Sequence, residues 1–253
     1  MAAKKSKPVL ILLHGLGGGA ADWADAGVPL AKHFAIQALD LPGSLHGPKS
    51  EDGYDPAALA RWVLAVMPKE PVFLAGHSLG GRVAGEVAAL APRRVAALAL
   101  VSPLGAASYG FTDTLKWKAM SRRAVLESVP ESSLRSAAAY GFEGEAPGKK
   151  AFVARAVEAQ TGPSKKDVSY ATEKSVDGVL GAPPLVERLE GTTMPLLVAT
   201  GERDPLVPPR DAKAILKARP DATFLELPGR GHYALMEDPA RLAEVLRGFF
   251  ARA

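Results

Sequence analysis

Short apolar runs recur along the chain and are separated by longer stretches of mixed polarity. The runs are rich in Val, Ile, Leu and Ala and occupy residues 8–13, 34–41, 71–75, 95–101, 195–200 and 223–227. A short apolar run that ends in turn residues is typical of a strand buried on both faces, as found in parallel sheets. The pattern therefore predicts about six strands in a mostly parallel sheet.

Stretches with helical periodicity lie between most of these runs. They cover residues 20–33, 55–67, 79–90, 209–218 and 239–250. Two of them begin with Asp-Pro, at Asp55-Pro56 and Asp238-Pro239, where Asp can cap the helix and Pro fits its first turn. Regular alternation of strands and helices predicts an α/β fold, a doubly wound sheet with helices on both faces.

The alternation is interrupted once, between about Leu104 and Gly191. This region contains no strand-like run, and Pro and Gly separate its amphipathic pieces at residues 111–128, 132–140, 149–159 and 169–180. We interpret it as a helical cap inserted after the fourth strand and lying over the carboxyl ends of the strands. The prediction is a core formed by residues 1–104 and 191–253, with a cap at residues 105–190.

A Gly-x-Ser-x-Gly sequence joins the third predicted strand to the helix that follows it. It reads Gly76-His77-Ser78-Leu79-Gly80. A strand that ends in this motif and opens a helix is the context of a nucleophile elbow, whose tight turn presents the serine hydroxyl. The glycines leave room for the two arms of the turn. The motif predicts that Ser78 is a nucleophile.

A serine nucleophile needs a base, and the base needs a group that fixes its tautomer. His232 lies in a glycine-rich loop after the sixth predicted strand, and Asp204 follows the fifth. Both positions are at carboxyl ends of parallel strands, where such sheets place their sites. We predict His232 as the base and Asp204 as its orienter, although Asp204 could be only a turn former and Glu202 is a nearby competitor.

The glycine-rich loop after the first predicted strand supplies the remaining candidates. Two backbone N–H groups are needed to hold an oxyanion, and we choose those of Leu79 and Leu16. Gly15 lets the backbone approach a substrate closely, so His14 and Gly15 are candidates for substrate contact. A hydrogen bond that braces the loop is the simpler role for His14.

Composition limits the classes of function. The 253-residue chain is 47% hydrophobic and 23% charged, and it has no Cys, which excludes disulfides and thiolate chemistry. A net charge of +4 is too small to indicate a nucleic-acid partner, although it suits an anionic small molecule. No stretch approaches the roughly 20 apolar residues of a membrane span, and residues 9–13 are too short for a signal peptide. We expect a cytoplasmic protein and leave its oligomeric state open.

These motifs together resemble the α/β-hydrolase superfamily, in particular its cap-bearing, esterase-like members. The matching segments, in order, are residues 14–19, 40–43, 76–81, 201–204 and 231–239. The resemblance covers residues 8–104 and 191–253. It implies hydrolysis of a small carboxylic ester by a Ser–His–Asp acyl-enzyme route, with no cofactor and no metal. The leading antiparallel hairpin of that family has no counterpart before Val9, so we expect six strands rather than eight.

Two other functions remain open. Gly80-Gly81-Arg82 resembles the menaquinone-pathway synthase branch, in which the Arg binds a substrate carboxylate. That resemblance implies a lyase or C–C bond hydrolase acting on a carboxylated substrate, with Arg82 as a substrate ligand. The second alternative is a ligand receptor that keeps the fold and a triad with slow turnover.

Overall fold

The computed structural model describes residues 7–253. Its centre is one parallel sheet of six strands. Its strands are Val9–Leu13 (β1), Ala35–Leu39 (β2), Val72–His77 (β3), Val95–Val101 (β4), Leu196–Gly201 (β5) and Thr223–Leu227 (β6). The strand order is β2-β1-β3-β4-β5-β6, and every neighbouring pair is parallel. The predicted α/β fold with a six-stranded, doubly wound sheet is confirmed. The first six residues of the predicted core lie outside the described residues.

Helices cover both faces of the sheet. The flanking elements before β5 are a 3₁₀ turn at Ala20–Trp23, then Ala24–Leu30 (α1), Pro56–Val66 (α2), Leu79–Leu90 (α3) and a 3₁₀ turn at Pro92–Arg94. The predicted helix over residues 20–33 is thus shorter and starts as a 3₁₀ turn. The predicted helix starts at Pro56 and Leu79 are confirmed. The Asp55 carboxylate caps α2 by accepting hydrogen bonds from the first N–H groups of that helix.

Alternate side chains of β1 enter two separate apolar clusters. Ile11 and Leu13 pack into the cluster that includes residues of α2 and α3. Leu10 and Leu12 point the other way, into the cluster that includes residues of α1. This period of two is the geometry of an extended strand, and it explains why the run carries apolar residues at successive positions. A strand buried on both faces needs apolar side chains on both.

Six helices and no strand lie between β4 and β5. They are Phe111–Ser121 (α4), Arg123–Ser128 (α5), Glu131–Ala139 (α6), Lys149–Thr161 (α7), Lys165–Gly181 (α8) and Leu185–Leu189 (α9). We refer to residues 105–190 as the helical insertion. The prediction of a single helix over residues 111–128 is wrong. Arg122 has a non-helical backbone (φ −54°, ψ 126°) and separates α4 from α5. Helix α9 was not predicted.

The helical insertion contacts loops at the carboxyl ends of the strands. Arg155 of α7 forms an ion pair with Asp22, 2.6 Å between Nη2 and Oδ1, in the segment after β1. The His232 N–H, after β6, donates to the carbonyl of Gly141 at 2.7 Å. The division of the chain into a core and a separate cap stays a prediction.

Four short helices follow β5 and β6. They are Pro209–Lys213 (α10), Ile215–Ala218 (α11), Ala234–Glu237 (α12) and Pro239–Phe250 (α13). The predicted helix over residues 209–218 is therefore two helices, whereas α13 has the predicted bounds. Helix α13 packs against α1 on one face of the sheet, and α2 packs against α3 on the other. Within residues 7–253, no helix combines the length and apolarity needed to cross a membrane.

Candidate active site

Ser78 occupies the sharp turn between β3 and α3. Its backbone lies in a region that non-glycine residues rarely adopt, with φ 53° and ψ −116°. The turn is possible because both glycines of the motif touch backbone: a side chain on Gly76 would collide with the Gly80 carbonyl, and one on Gly80 with the His14 carbonyl. Strain of this kind is retained where the surrounding structure enforces it, often at functional sites.

A short hydrogen bond joins His232 to Asp204. His232 Nδ1 lies 2.8 Å from Asp204 Oδ2, and both side chains are buried. The other carboxylate oxygen accepts the N–H groups of Leu206 at 2.9 Å and Val207 at 2.8 Å. An ionised Asp204 thus fixes the tautomer with the proton on Nδ1, which leaves Nε2 of His232 free to accept a proton.

The charge state of Asp204 reflects two opposing influences. Burial alone raises the pKa of its carboxyl group, but the facing His232 ring and the N–H of Val207 favour the carboxylate more strongly. The net result is a pKa below the usual value for Asp. Asp204 is therefore ionised at neutral pH.

The backbone of His232 is held from two sides. His77 Nε2 donates to the His232 carbonyl at 2.9 Å, while the His232 N–H donates to the Gly141 carbonyl at 2.7 Å. Glu237 supports the same loop, since its Oε2 accepts the N–H of Gly231 at 2.8 Å. The Gly141 contact could not be predicted from sequence, because a backbone carbonyl has no residue signature.

His77 is neutral in this environment. Burial, followed by the neighbouring His232 ring, lowers the pKa of His77 to about 3. The centroids of the two rings are 4.7 Å apart. An uncharged His77 can donate through Nε2 without placing a positive charge beside His232.

The glycine-rich loop after β1 lies directly against Ser78. A Cβ on Gly15 would lie 3.1 Å from Ser78 Cβ and 2.9 Å from His77 Nδ1. Leu16 follows in a turn closed by a hydrogen bond from the Gly18 N–H to the Gly15 carbonyl at 3.1 Å. Leu79 is the first residue of α3, so its N–H has no acceptor within the helix. The oxyanion role of Leu16 and Leu79 stays a prediction that fits this placement.

His14 braces the loop instead of facing a substrate with a free nitrogen. Its Nε2 accepts the Leu41 N–H at 2.9 Å, and its Nδ1 lies 2.8 Å from the Gly15 carbonyl. Burial lowers the pKa of His14, which keeps the ring neutral. Because both ring nitrogens bind backbone, neither is free for a substrate, and the contact of His14 with a substrate stays a prediction. The contacts fit the bracing role considered beside it.

Arg82 does not lie where the alternative function requires it. Its side chain is 0% exposed, and Nη2 donates to Glu86 Oε1 at 2.7 Å and to the Pro183 carbonyl at 2.8 Å. Nη1 lies 3.4 Å from the carbonyl of Gly105. Arg82 therefore binds both ends of the helical insertion. These contacts give no support to the predicted contact of Arg82 with a substrate carboxylate, because both Nη atoms lie against groups of the protein itself.

Ser102 is a further residue near the acid that sequence reasoning did not select. It follows β4, has a positive φ of 45°, and its N–H donates to the Ala199 carbonyl at 2.8 Å. Its buried hydroxyl makes no hydrogen bond among the described residues, yet it lies close enough to Asp204 to help lower the pKa of that carboxyl. Its positive φ is the second strained non-glycine backbone of residues 7–253, after Ser78.

Metal-ligating side chains are not gathered in this part of the molecule. Over the described range, no group of three or more His, Asp or Glu side chains has the arrangement needed to hold a metal ion. A His can transfer protons and a Ser can act as a nucleophile, and these roles of His232 and Ser78 stay predictions.

Known proteins share this architecture. A family model described as the alpha/beta hydrolase fold matches residues 8–239. The dihydrolipoyllysine-residue acetyltransferase component of the acetoin cleaving system of Cupriavidus necator is 32% identical over 242 residues, which are 90% of this chain and 59% of that protein. The chain thus spans only about three fifths of that relative.

Another relative is matched along almost its whole length. The pimeloyl-acyl-carrier-protein methyl ester esterase of Pectobacterium atrosepticum is 29% identical over 250 residues, 95% of this chain and 93% of that protein. Among solved structures, the enol-lactonase from Burkholderia xenovorans LB400 superposes with a TM-score of 0.80 at 20% identity, covering 97% of this chain and 92% of that one. A likeness at that identity concerns the fold alone.

Proposed function

The chain belongs to the alpha/beta hydrolase family, and from this premise we propose that it hydrolyses small carboxylic esters through a Ser–His–Asp acyl-enzyme mechanism. The observation that carries the proposal is the 2.8 Å hydrogen bond between His232 Nδ1 and Asp204 Oδ2, at the edge of the sheet where Ser78 forms the elbow. Of the ion pairs among the described residues, this one alone joins a carboxylate to a His.

The first half of the reaction forms an acyl-enzyme. His232 Nε2 takes the proton of the Ser78 hydroxyl, and Oγ attacks the carbonyl carbon of the ester. Asp204 stays ionised and stabilises the imidazolium that results. The N–H groups of Leu16 and Leu79 hold the oxyanion, and losing one such donor typically reduces turnover by about 10²–10³. His232 then protonates the leaving alcohol as the tetrahedral intermediate collapses.

The second half uses the same groups on water. His232 Nε2 removes a proton from a water molecule, and the hydroxide attacks the acyl carbon on Ser78. Collapse of the second tetrahedral intermediate returns the proton to Oγ and releases the carboxylic acid. Every proton that leaves Ser78 or water passes through His232, so no external acid or base is needed.

The helical insertion serves as the cap in this proposal. Its support is the contact of Gly141 with the His232 N–H and the ion pair of Arg155 with Asp22 beside the glycine-rich loop. Both contacts join the insertion to loops that carry the candidate site. A cap in this place would exclude bulk water and select the substrate.

Replacement of the nucleophile tests the proposal. Ser78→Ala is expected to reduce kcat for p-nitrophenyl butyrate by about 10⁴-fold or more, because Oγ forms the covalent intermediate. Ser121→Ala is a matched control, since Ser121 is another buried serine but lies on α4. Wild-type turnover by Ser78→Ala would refute the mechanism.

A second measurement on the wild-type protein distinguishes an esterase from a ligand receptor. A fluorophosphonate probe labels any activated serine, whereas only an enzyme releases product over many cycles. We expect labelling together with multiple turnovers. Labelling of Ser78 with a single burst of p-nitrophenol would instead indicate a receptor with a slow triad. The lyase alternative loses its specific support, because the Arg82 guanidinium is bound to Glu86.

A further inference from the structure

A small cavity lies beside the residues that would hold the oxyanion. Its volume is about 30 Å³, and Leu16, Leu79 and Leu41 line it from the core side. Ala159 of α7 and Val168 of α8 line it from the helical insertion. A cavity of this size has room for roughly two or three water-sized groups, since one such group needs about 10–15 Å³. It can take a methyl, ethyl or propyl chain.

No charged side chain lines this cavity, and its polar side chains besides His14 are the hydroxyls of Ser44, Thr172 and Ser175. No Lys, Arg, Asp or Glu side chain lines it, and its one ionisable residue, His14, is neutral with both ring nitrogens bound to backbone. A carboxylate placed there would lose its hydration and gain no cationic partner. The cavity therefore suits an uncharged, apolar chain.

The position of the base decides which half of an ester enters this cavity. The leaving alcohol must lie within reach of His232, which protonates it. The cavity wall contains no residue of the loops that carry Asp204 and His232. It lies on the side of Leu16 and Leu79, so it accepts the acyl half.

A larger cavity lies beside the loop that carries Asp204. Its volume is about 200 Å³, and Leu206 and the aromatic rings of Trp117 and Tyr140 are part of its wall. Leu206 Cδ1 and His232 Cβ each lie 3.1 Å from the position of a Cβ on Gly141, so Leu206 belongs both to this wall and to the surroundings of His232. The aromatic side chains suit a ring, and the charged side chains that also line the cavity are those of Asp113, Lys116, Arg210 and Asp211.

We propose that the small cavity is the acyl subsite and the larger one the alcohol subsite. The preferred substrates are esters of short, uncharged acids of two to four carbons with larger, aromatic alcohols. This inference rests on the proposed esterase function. Within it, Val168 limits the length of the acyl chain, and Trp117 contacts the alcohol.

Acyl selectivity is tested with p-nitrophenyl esters of increasing chain length. For the wild-type protein, kcat/KM should be highest for acetate to butyrate and at least tenfold lower for octanoate. The charged p-nitrophenyl hydrogen succinate should also be at least tenfold poorer than butyrate, which has the same number of carbons. Preference for octanoate or for the succinate half-ester would overturn the acyl assignment.

A pair of matched variants assigns the selectivity to the cavity. Val168 and Val176 lie on the same helix, α8, and are equally buried at 3% and 2% exposure, but only Val168 lines the cavity. Val168→Ala should move the optimum to longer chains and raise the octanoate to acetate ratio at least fivefold. Val176→Ala should leave the ratio unchanged. Equal shifts in both variants would refute the role of Val168.

Alcohol selectivity is tested with acetates that share one acyl group. Benzyl acetate should exceed ethyl acetate in kcat/KM at least tenfold, measured by acid release in a pH-stat. Trp117→Ala should remove most of that preference, whereas Trp62→Ala, a half-buried Trp on α2 outside the cavity, should keep it. An equal effect of the two variants, or no preference in the wild type, would overturn the alcohol assignment.

The esterase mechanism and the acyl subsite assignment are refuted by different results. Full activity of Ser78→Ala refutes the esterase mechanism itself. Loss of activity in Ser78→Ala, together with a chain-length profile that Val168→Ala does not alter, refutes the acyl assignment and leaves the mechanism standing.

Discussion

His77 donates a hydrogen bond from Nε2 to the backbone carbonyl of His232, 2.9 Å away. The two residues are 155 positions apart in the chain. The residue that precedes Ser78 therefore holds the loop that carries His232, and the glycine-rich loop packs against the same ring through Gly15. The three segments that carry the proposed nucleophile, base and oxyanion donor Leu16 thus meet at the uncharged imidazole of His77.

Removal of this donor should lower turnover without weakening substrate binding. His77→Leu is expected to reduce kcat at least tenfold with little change in KM, because small displacements of a catalytic group cost up to about 10²-fold. His77→Gln, which can keep an N–H donor, should recover part of the loss. The exposed His33→Gln is the control. Equal kcat values for His77→Leu and wild type would show that the hydrogen bond does not position His232.

Stability should fall as the pH is lowered from neutrality toward pH 3. The folded-state pKa of His77 is about 3 against an ordinary value of 6.5, so the unfolded chain binds more protons in this window. Each pH unit below 6.5 should cost about 1.4 kcal/mol from this residue. His14 acts in the same direction, whereas burial raises the pKa of Glu237 and opposes the trend.

Urea unfolding at pH 7.5, 6.0 and 5.0 measures this dependence. The free energy of unfolding of His77→Gln should change less between pH 6.0 and 5.0 than that of the wild type, because the titrating group is gone. Parallel pH profiles for the two proteins would contradict the assignment of the effect to His77.

We expect Arg82 to stabilise the fold and to hold the helical insertion in place, and we do not expect it to recognise an anion. Arg82→Gln leaves the buried Glu86 without its closest partner, and breaking a buried pair typically costs about 3–5 kcal/mol. Arg188, 3.0 Å from Glu86 Oε2, remains and should reduce the loss. Urea unfolding measures the change.

Arg82→Gln also tests whether Arg82 binds a substrate carboxylate. The ratio of kcat/KM for p-nitrophenyl butyrate to that for the succinate half-ester should be the same in Arg82→Gln and wild type. A selective loss of kcat/KM for the succinate half-ester would support the carboxylate contact inferred from Gly80-Gly81-Arg82.

Gly15 should tolerate no side chain. A Cβ at this position would lie within 3.1 Å of Ser78 Cβ and 2.9 Å of His77 Nδ1, so Gly15→Ala must displace the loop or the nucleophile. We expect kcat to fall at least tenfold. Gly27→Ala is the matched control, because a Cβ there meets nothing within 4 Å and Ala is the better helix former by about 1 kcal/mol. Comparable kcat in both variants would refute the close packing at Gly15.

The parallel sheet and the meeting of Asp204 with His232 were both predictable from the sequence, and for related physical reasons. Strands buried on both faces leave uninterrupted apolar runs, and parallel strands bring their carboxyl ends to one edge. Asp204 and His232 follow two such runs, so their meeting could be predicted without knowing the packing of the helices. The Ser78 turn was predictable because only glycine fits the close approaches at Gly76 and Gly80.

The remainder depends on tertiary contacts that no local pattern encodes. Arg82 follows the motif and resembles a substrate ligand. Its partner Glu86 is a local i,i+4 neighbour, but the carbonyls of Gly105 and Pro183 that also bind Arg82 are distant in the chain. The contact of Gly141 with the His232 loop involves backbone only. The break between α4 and α5 at Arg122 likewise has no Pro or Gly to mark it.

The hydrogen bond from the His232 N–H to the Gly141 carbonyl ties the His232 loop to the helical insertion. It is one of the two hydrogen bonds that hold the backbone of His232, and the other comes from His77. The orientation of the proposed base therefore depends on where the insertion lies. A change of sequence in the insertion that shifts Gly141 would alter the proposed catalyst without touching any residue of its triad.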